Sequence, residues 1–414
     1  MTDIYNSEKG LESYKSQIIN RFKNGPIAVK YLDSLIVNGL APIRVKMMAW
    51  CTKILLSWKD KPELSKWTKD DVEFCVKKMI ESDWATSTNN TFLISLQRVV
   101  SYAKQGKVII LKNNDIHSPE VSWISPTRYR NRKKEKKISA EDLISEVELI
   151  QLVETVPQCS LNIKRDQAFL YVAREFAARP AELFNMRLGW LTFDHEKGVV
   201  YVKSTGKTGA KRWVLVLSYK PLLDFINSDH PDPSNTDAYL WTSRRGKTKK
   251  MNYSYLGPFF KQLRLKADFK KKITIYTLRY SKLTQQALED PGVLKELGNW
   301  STIKTADVYI RKSQENVERS ILSKYGLVNE QEKNKDKVSL KKCNFCGKMA
   351  SPHQKRCECG AFVDPVTALK FEKARESHAS KGDKKTRKEI EELRAMVLQQ
   401  QKTIQEFISS QQKN

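Results

Sequence analysis

Four side chains suited to work on a phosphate diester are spread through the second half of this 414-residue chain: Arg179 in REFAARPAEL, Lys207 in STGKTGAKRW, Arg279 in YTLRYS and Tyr309 in DVYIRKS. A phosphodiester attacked by a side-chain oxygen passes through a crowded phosphorus with added negative charge on its non-bridging oxygens. A guanidinium suits that charge, because its planar fork donates two parallel hydrogen bonds and stays protonated. Arg179 and Arg279 are therefore candidates to clamp those oxygens, a preorganised electrostatic contribution of the kind that dominates such reactions. A phenol with a pKa near 10 is mostly neutral at pH 7, so Tyr309 would need a cationic pocket to act as a nucleophile. The region carries no glycine-rich nucleotide loop, no HExxH, no GxSxG and no cluster of acidic metal ligands, so no catalytic cofactor is expected.

The charge points to the same class of substrate. The chain has 74 Lys+Arg against 47 Asp+Glu, a formal excess of +27. That excess suits a polyanion, since each phosphate neutralised by Lys or Arg releases a condensed counterion. A hydrophobic content of 40% with 15 Tyr, 15 Phe and 9 Trp argues for folded domains over a basic low-complexity tail. The length suggests two or three domains. No apolar run approaches the ~18 residues that span a bilayer, and the opening MTDIYNSEKGLESYK lacks a signal-peptide core, so neither membrane nor secretion is expected.

The elements that must carry these residues are mostly helical. Residues 1–105 read as four short helices forming one α-domain. Ile27, Tyr31, Leu32, Leu35 and Ile36 keep helical spacing, Pro42 opens a second pattern, Thr68–Asp71 has capping-box form, and a fourth pattern runs from Ser87 to Ala103. Residues 106–138 are a basic linker containing RYRNRKKEKK, where Arg128, Arg130, Arg132, Lys133 and Lys134 either solvate the linker or track a DNA backbone. From Ser139, a capping box at Ser145–Glu148 starts one helix and Asp166–Ala177 forms another. Residues 199–217 then switch to a two-residue period around a glycine-containing turn, a β-hairpin bearing Lys207. Helices follow at 219–227, 253–266, 277–288, 293–297, 302–311 and 315–325, with short strands near 238–241 and 273–275.

Of seven cysteines, Cys51, Cys75 and Cys159 read as buried thiols in a reducing compartment. Cys343, Cys346, Cys357 and Cys359 form CxxC–x10–CxC with glycines at 347 and 360, the pattern of a structural zinc ribbon over 340–364. His353 is an alternative fourth ligand. In the tail, 365–414, Ile390, Leu393, Val397, Gln400, Ile404 and Phe407 step by three and four, the seam of a short coiled coil or of a helix docking on its own protein.

Taken singly, each candidate residue reads as an ordinary surface or packing side chain. In this order and at these intervals, they resemble the catalytic signature of the tyrosine recombinases, the phage integrase family. The resemblance runs over about 139–325 through AARPAEL, the hairpin lysine and the LRYS…ELGNW…VYIR tail, and more loosely over 1–105. It implies a mainly α fold with a small β-sheet (α+β): a helical core-binding domain, a catalytic domain over 139–328, and then the ribbon and helical tail. Such additions are commoner in archaeal members, so the chain is expected to be archaeal-like, and to act on DNA inside a prokaryotic cell, in cytoplasm or nucleoid.

The resemblance further implies that Tyr309 is the nucleophile, forming a 3′-phosphotyrosine and freeing a 5′-hydroxyl without ATP. Lys207 would be the general acid, with Lys211 as runner-up, and Glu182 would hold an arginine or help to position the site. Two positions depart from the family pattern. Tyr276 stands where a histidine usually precedes the second arginine by three residues. Either Trp300 or Asn299 stands in place of the second histidine, and Trp300 is favoured because its indole N–H can donate to phosphate. The expected activity is site-specific recombination of double-stranded DNA by a tetramer exchanging strands in pairs. The alternatives are a type IB topoisomerase-like or resolving enzyme, a catalytically decayed DNA-binding regulator, and a scaffold built on the ribbon and coil.

Overall fold

The computed structural model describes residues 3–108, 116–125, 140–206, 209–243, 246–289, 291–300, 302, 306, 309, 321–322, 325, 340–363 and 368–369. The basic run with Arg128, Arg130, Arg132, Lys133 and Lys134, the coiled-coil seam, and most of the helices expected at 302–311 and 315–325 lie outside the described residues.

Helices α1 (Ser7–Arg21), α2 (Gly25–Val37), α3 (Pro42–Trp58), α4 (Lys69–Glu81), α5 (Thr86–Gln105) and the single turn α6 (Pro119–Ser122) enclose one hydrophobic core. Tyr31, Leu35, Met48, Leu55, Trp67, Phe92 and Leu96 are its buried interior. The capping box forms as the spacing predicts: Thr68 N–H donates to Asp71 Oδ2 at 2.8 Å and Asp71 N–H to Thr68 Oγ1 at 3.4 Å. A cap of this kind is worth about 1 kcal/mol. The expected four helices are five before the linker, since Ser7–Arg21 is also helical. It buries only Ser7, Leu11 and Ile18, too thin an apolar stripe to stand out, and its packing against α2 and α3 secures it.

The second core is built around α8 (Ile163–Glu175), preceded by α7 (Glu146–Thr155), whose Ser145–Glu148 capping box also forms. After the short α9 (Pro180–Phe184) comes an antiparallel sheet in the order β1 (Leu191–Asp194), β2 (Val199–Gly206), β3 (Gly209–Leu215). The hairpin register pairs Gly206 with Gly209 and Val202 with Trp213. Helix α10 (Tyr219–Ser228), the ribbon β4 (Thr242–Ser243) with β5 (Gly246–Lys250), and helices α11 (Leu256–Lys266), α12 (Ile275–Glu289) and α13 (Pro291–Gly298) complete it. The mainly helical architecture with small antiparallel sheets is as expected.

Local details differ. No strand forms at 273–275; Thr274 instead caps α12, its Oγ1 accepting Thr277 N–H at 3.1 Å. Near 238–241 the chain is extended, with Leu240 N–H donating to Met186 O at 2.9 Å and an isolated bridge joining Tyr239 to Arg187, but the named strand begins at Thr242. The last module pairs β6 (Lys341–Lys342) with β7 (Met349–Ala350) and rests on α8 and α10. There His353 Nδ1 lies 3.1 Å from the Tyr171 hydroxyl, and Gln354 Nε2 donates to Asp224 Oδ2 at 3.2 Å.

Candidate active site

Arg179 is placed by a turn that the backbone adopts against its preference. Between α8 and α9, Ala177 has φ 47°, a left-handed conformation costing a Cβ-bearing residue about 1–2 kcal/mol. Complete burial of Ala177 holds the turn. Arg179 is then the N-cap of α9, with Pro180 starting the helix. Glu182 reaches back, accepting Arg179 N–H at 2.8 Å and Nη1–H at 3.0 Å. Its side chain is 3% exposed against 31% for Arg179, so a buried carboxylate aims a guanidinium that stays partly exposed. Four residues upstream, the Glu175 carboxylate accepts the N–H groups of Val216, Leu217 and Ser218 at 2.6, 3.0 and 2.9 Å. That clasp ties the end of the hairpin to the helix leading to Arg179.

Arg279 comes from α12 and is 6% exposed. Its Nη1–H donates to the Ala177 carbonyl, and Nη2–H donates to Gly298 O at 3.3 Å. One guanidinium thus joins the α8–α9 turn to the end of α13. Burial lowers its pKa, and neighbouring Arg179 lowers it further while Tyr309 opposes the shift; an arginine remains charged throughout.

The chain turns sharply after α13. Asn299 has φ 48°, and Trp300 N–H donates back to Lys295 O at 3.3 Å. Trp300 folds over Gly298, where an added Cβ would lie 2.5 Å from the indole ring. Tyr309 packs between Trp300, at 5.2 Å between ring centroids, and Tyr280, at 5.5 Å. It shares a small core with Ala177, Leu283, Leu294 and Leu297, against which Trp213 of the hairpin also rests. Burial raises the Tyr309 phenol and Tyr280 adds to the rise; a hydrogen bond and the charge from Arg279 pull the other way, leaving the value at about 12.

Arg179, Tyr276, Arg279, Tyr280, Trp300 and Tyr309 line one cavity of about 340 Å³, together with Tyr5. The structure brings Trp300 into this wall, and Asn299 is not among the lining residues. Tyr276 is 44% exposed at the rim. Lys207 and the side chain of Lys211 lie outside the described residues, although the strands flanking Lys207 are in register. Tyr5 and Tyr280 were not singled out in the sequence. Tyr280 adjoins Arg279, a usable signal, whereas nothing in the sequence links Tyr5 to residues so distant.

The four C-terminal cysteines also converge. Their Sγ atoms lie within 4.8 Å of one another, with Cys343–Cys359 at 3.7 Å and Cys346–Cys357 at 3.5 Å. A tetrahedron of thiolates around a metal 2.3 Å away has edges of about 3.8 Å, so this group could hold one metal ion. Two matching turns form it: Gly347 N–H donates to Cys343 O and Gly360 N–H to Cys357 O, both at 2.9 Å, with φ 72° and 86° at the glycines. Backbone N–H groups of Cys346 and Phe345 lower the Cys343 thiol to about 7, favouring the thiolate that binds metal. His353 faces Tyr171 and is not part of the group.

Residues 143–316 match the model of the phage integrase family. A Tn1549 transposon integrase in complex with transposon right end DNA is similar in structure, with 15% identity, coverage of 72% of this chain and 99% of that one, and a TM-score of 0.54. A lambda integrase dimer bound to a COC′ core site is similar at 11% identity, covering 69% of this chain and 76% of that one, with a TM-score of 0.50. At such identities the likeness is one of fold. No curated protein matches the chain. Among the described residues no helix is long and apolar enough to cross a membrane.

Proposed function

We propose that this chain is a tyrosine recombinase that cleaves and rejoins double-stranded DNA through Tyr309. The observation that carries the reading is the meeting of Arg179, Arg279 and Tyr309 at one cavity, from a helix cap, a helix interior and a residue beyond α13. One buried and one partly exposed guanidinium beside a phenol suit an in-line attack on a phosphodiester.

In this mechanism, Arg179 and Arg279 hold the non-bridging oxygens, Arg179 being aimed by Glu182. The Tyr309 oxygen forms the new bond to phosphorus as the bond to the 5′-oxygen breaks, and Lys207 delivers a proton to that leaving oxygen. Trp300 and Tyr276 donate to the phosphate from the wall and rim. The phosphotyrosine preserves the bond energy, so rejoining reverses the same steps without ATP. The basic run from Arg128 to Lys134 follows the DNA backbone, and four protomers assemble on paired sites in a prokaryotic cell. Zinc held by Cys343, Cys346, Cys357 and Cys359 is structural, stabilising the ribbon and taking no part in the chemistry.

The test is incubation with a nicked suicide duplex, which traps a covalent adduct. The expected result is an adduct lost in Tyr309→Phe, with DNA binding retained and steeply salt-dependent. Tight binding without an adduct would make the chain a DNA-binding regulator. Relaxation of supercoils without recombinant joints would make it a topoisomerase-like enzyme.

A further inference from the structure

The segment ahead of α1 belongs by sequence to the helical unit but lies on the catalytic one. Ile4 is 6% exposed and is buried in the second core, among residues 144–278. Tyr5 stands edge-on to Tyr253, with ring centroids 5.0 Å apart, and interacts electrostatically with Tyr276 at the cavity rim. It lines the same cavity as Arg179, Arg279 and Tyr309. From the other side, Lys46 of α3 stretches past Gly10, where a Cβ would lie 2.5 Å from its Cε, and its Nζ donates to the Tyr5 carbonyl at 3.3 Å.

Asp3 completes the strap. Its carboxylate accepts the N–H of Tyr5 at 2.9 Å and that of Ser7. It also interacts electrostatically with Lys46 of the helical unit and Lys250 of the catalytic unit. A carboxylate attracted to a lysine of each unit competes with a DNA phosphate for the same two cations. Asn6, at φ 48°, turns the strap into α1, and asparagine is among the few residues that adopt this conformation readily.

We propose that Asp3–Tyr5 is a competitor of DNA carried by the chain itself, bridging the two units across the mouth of the catalytic cavity and leaving when a phosphodiester enters. This rests on reading the cavity as the site of DNA cleavage. A strap closed in about nine molecules of ten weakens apparent DNA affinity about tenfold, because only the open fraction binds.

The experiment uses the full chain carrying Tyr309→Phe, so that binding is read without chemistry, and compares it with the same chain carrying Asp3→Asn and Tyr5→Ala. Ile4 is kept so that its burial in the second core is undisturbed. Fluorescence anisotropy with a duplex is expected to show about tenfold tighter binding in the substituted protein. Tyr5→Phe alone, which keeps the ring against Tyr253 and removes only the hydroxyl, is expected to show a smaller gain. Hydrogen exchange at residues 4–7 of the parent protein should speed up when DNA is added. Equal or weaker binding by the substituted proteins, or unchanged exchange, overturns the proposal. If neither protein binds duplex DNA, the cavity is not a DNA site, and the functional reading fails together with the strap.

Discussion

Trp300 lies nearly flat against Tyr309, with ring centroids 5.2 Å apart and planes 22° from parallel. The two are nine residues apart in sequence, and the contact depends on Gly298, over which the indole folds. Stacking fixes the plane of the phenol, which shares its cavity with Arg279 and Tyr280.

Replacing Trp300 separates those effects. Trp300→Phe keeps an aromatic face but removes the N–H, and Trp300→Ala removes both. Adduct formation at saturating DNA should fall by about 10²-fold in Trp300→Phe if the indole donates to the phosphate, and further in Trp300→Ala. Equal rates in wild type and Trp300→Phe would assign the residue to packing alone.

Arg279→Lys keeps a charge but cannot reach two carbonyls with a planar fork. Its adduct rate should drop by about 10²–10³-fold. Ala177 and Gly298 would lose their donor, so the unfolding free energy should fall by about 1–3 kcal/mol. Both quantities are measurable on one preparation, by suicide-substrate kinetics and by denaturant titration. Normal cleavage would remove Arg279 from the site.

The pH dependence follows from the Tyr309 phenol, raised from 10.0 to about 12. Because the folded value is the higher one, the associated stability is present below pH 10 and is lost as pH rises through about 12. Adduct formation should therefore accelerate between pH 7 and 9, approaching tenfold per unit if the ionised phenol attacks. Tyr280→Phe removes a hydroxyl that raises the value, so its profile should move to lower pH. A profile unmoved by Tyr280→Phe would show that this hydroxyl does not govern the nucleophile.

Purified protein should contain one metal ion per chain by elemental analysis, with sulfur neighbours at about 2.3 Å by X-ray absorption. A chelator should unfold the 340–363 module, seen as new protease cleavage there. A metal-free protein with the same proteolytic pattern would exclude a structural metal.

Docking of that module should be acid-sensitive. Burial lowers His353 from 6.5 to about 4, so its contribution is complete above pH 6.5 and lost as pH falls through 4. The loss is at most about 3 kcal/mol. A titration monitored by hydrogen exchange at Tyr171 should show it, and His353→Asn, which cannot titrate, should abolish the dependence.

Capping boxes, the hairpin period and the cysteine spacing were legible because each is a short-range pattern whose physics acts between residues a few positions apart. Thr68–Asp71, Ser145–Glu148 and the strands around Lys207 formed where the pattern placed them. Helix α1 was not legible, because its three buried residues acquire meaning only through α2 and α3.

For the site, residue types and order were enough to nominate Arg179, Arg279 and Tyr309, since few side chains can meet the charge of a reacting phosphodiester. Tertiary structure alone decided that they share a cavity, that Ala177 and Gly298 are tied by one guanidinium, and that Tyr5 stands among them. These are contacts between segments from 19 to more than a hundred residues apart, or turns held against backbone preference. Burial and packing of the whole fold settle them, and no local periodicity encodes either.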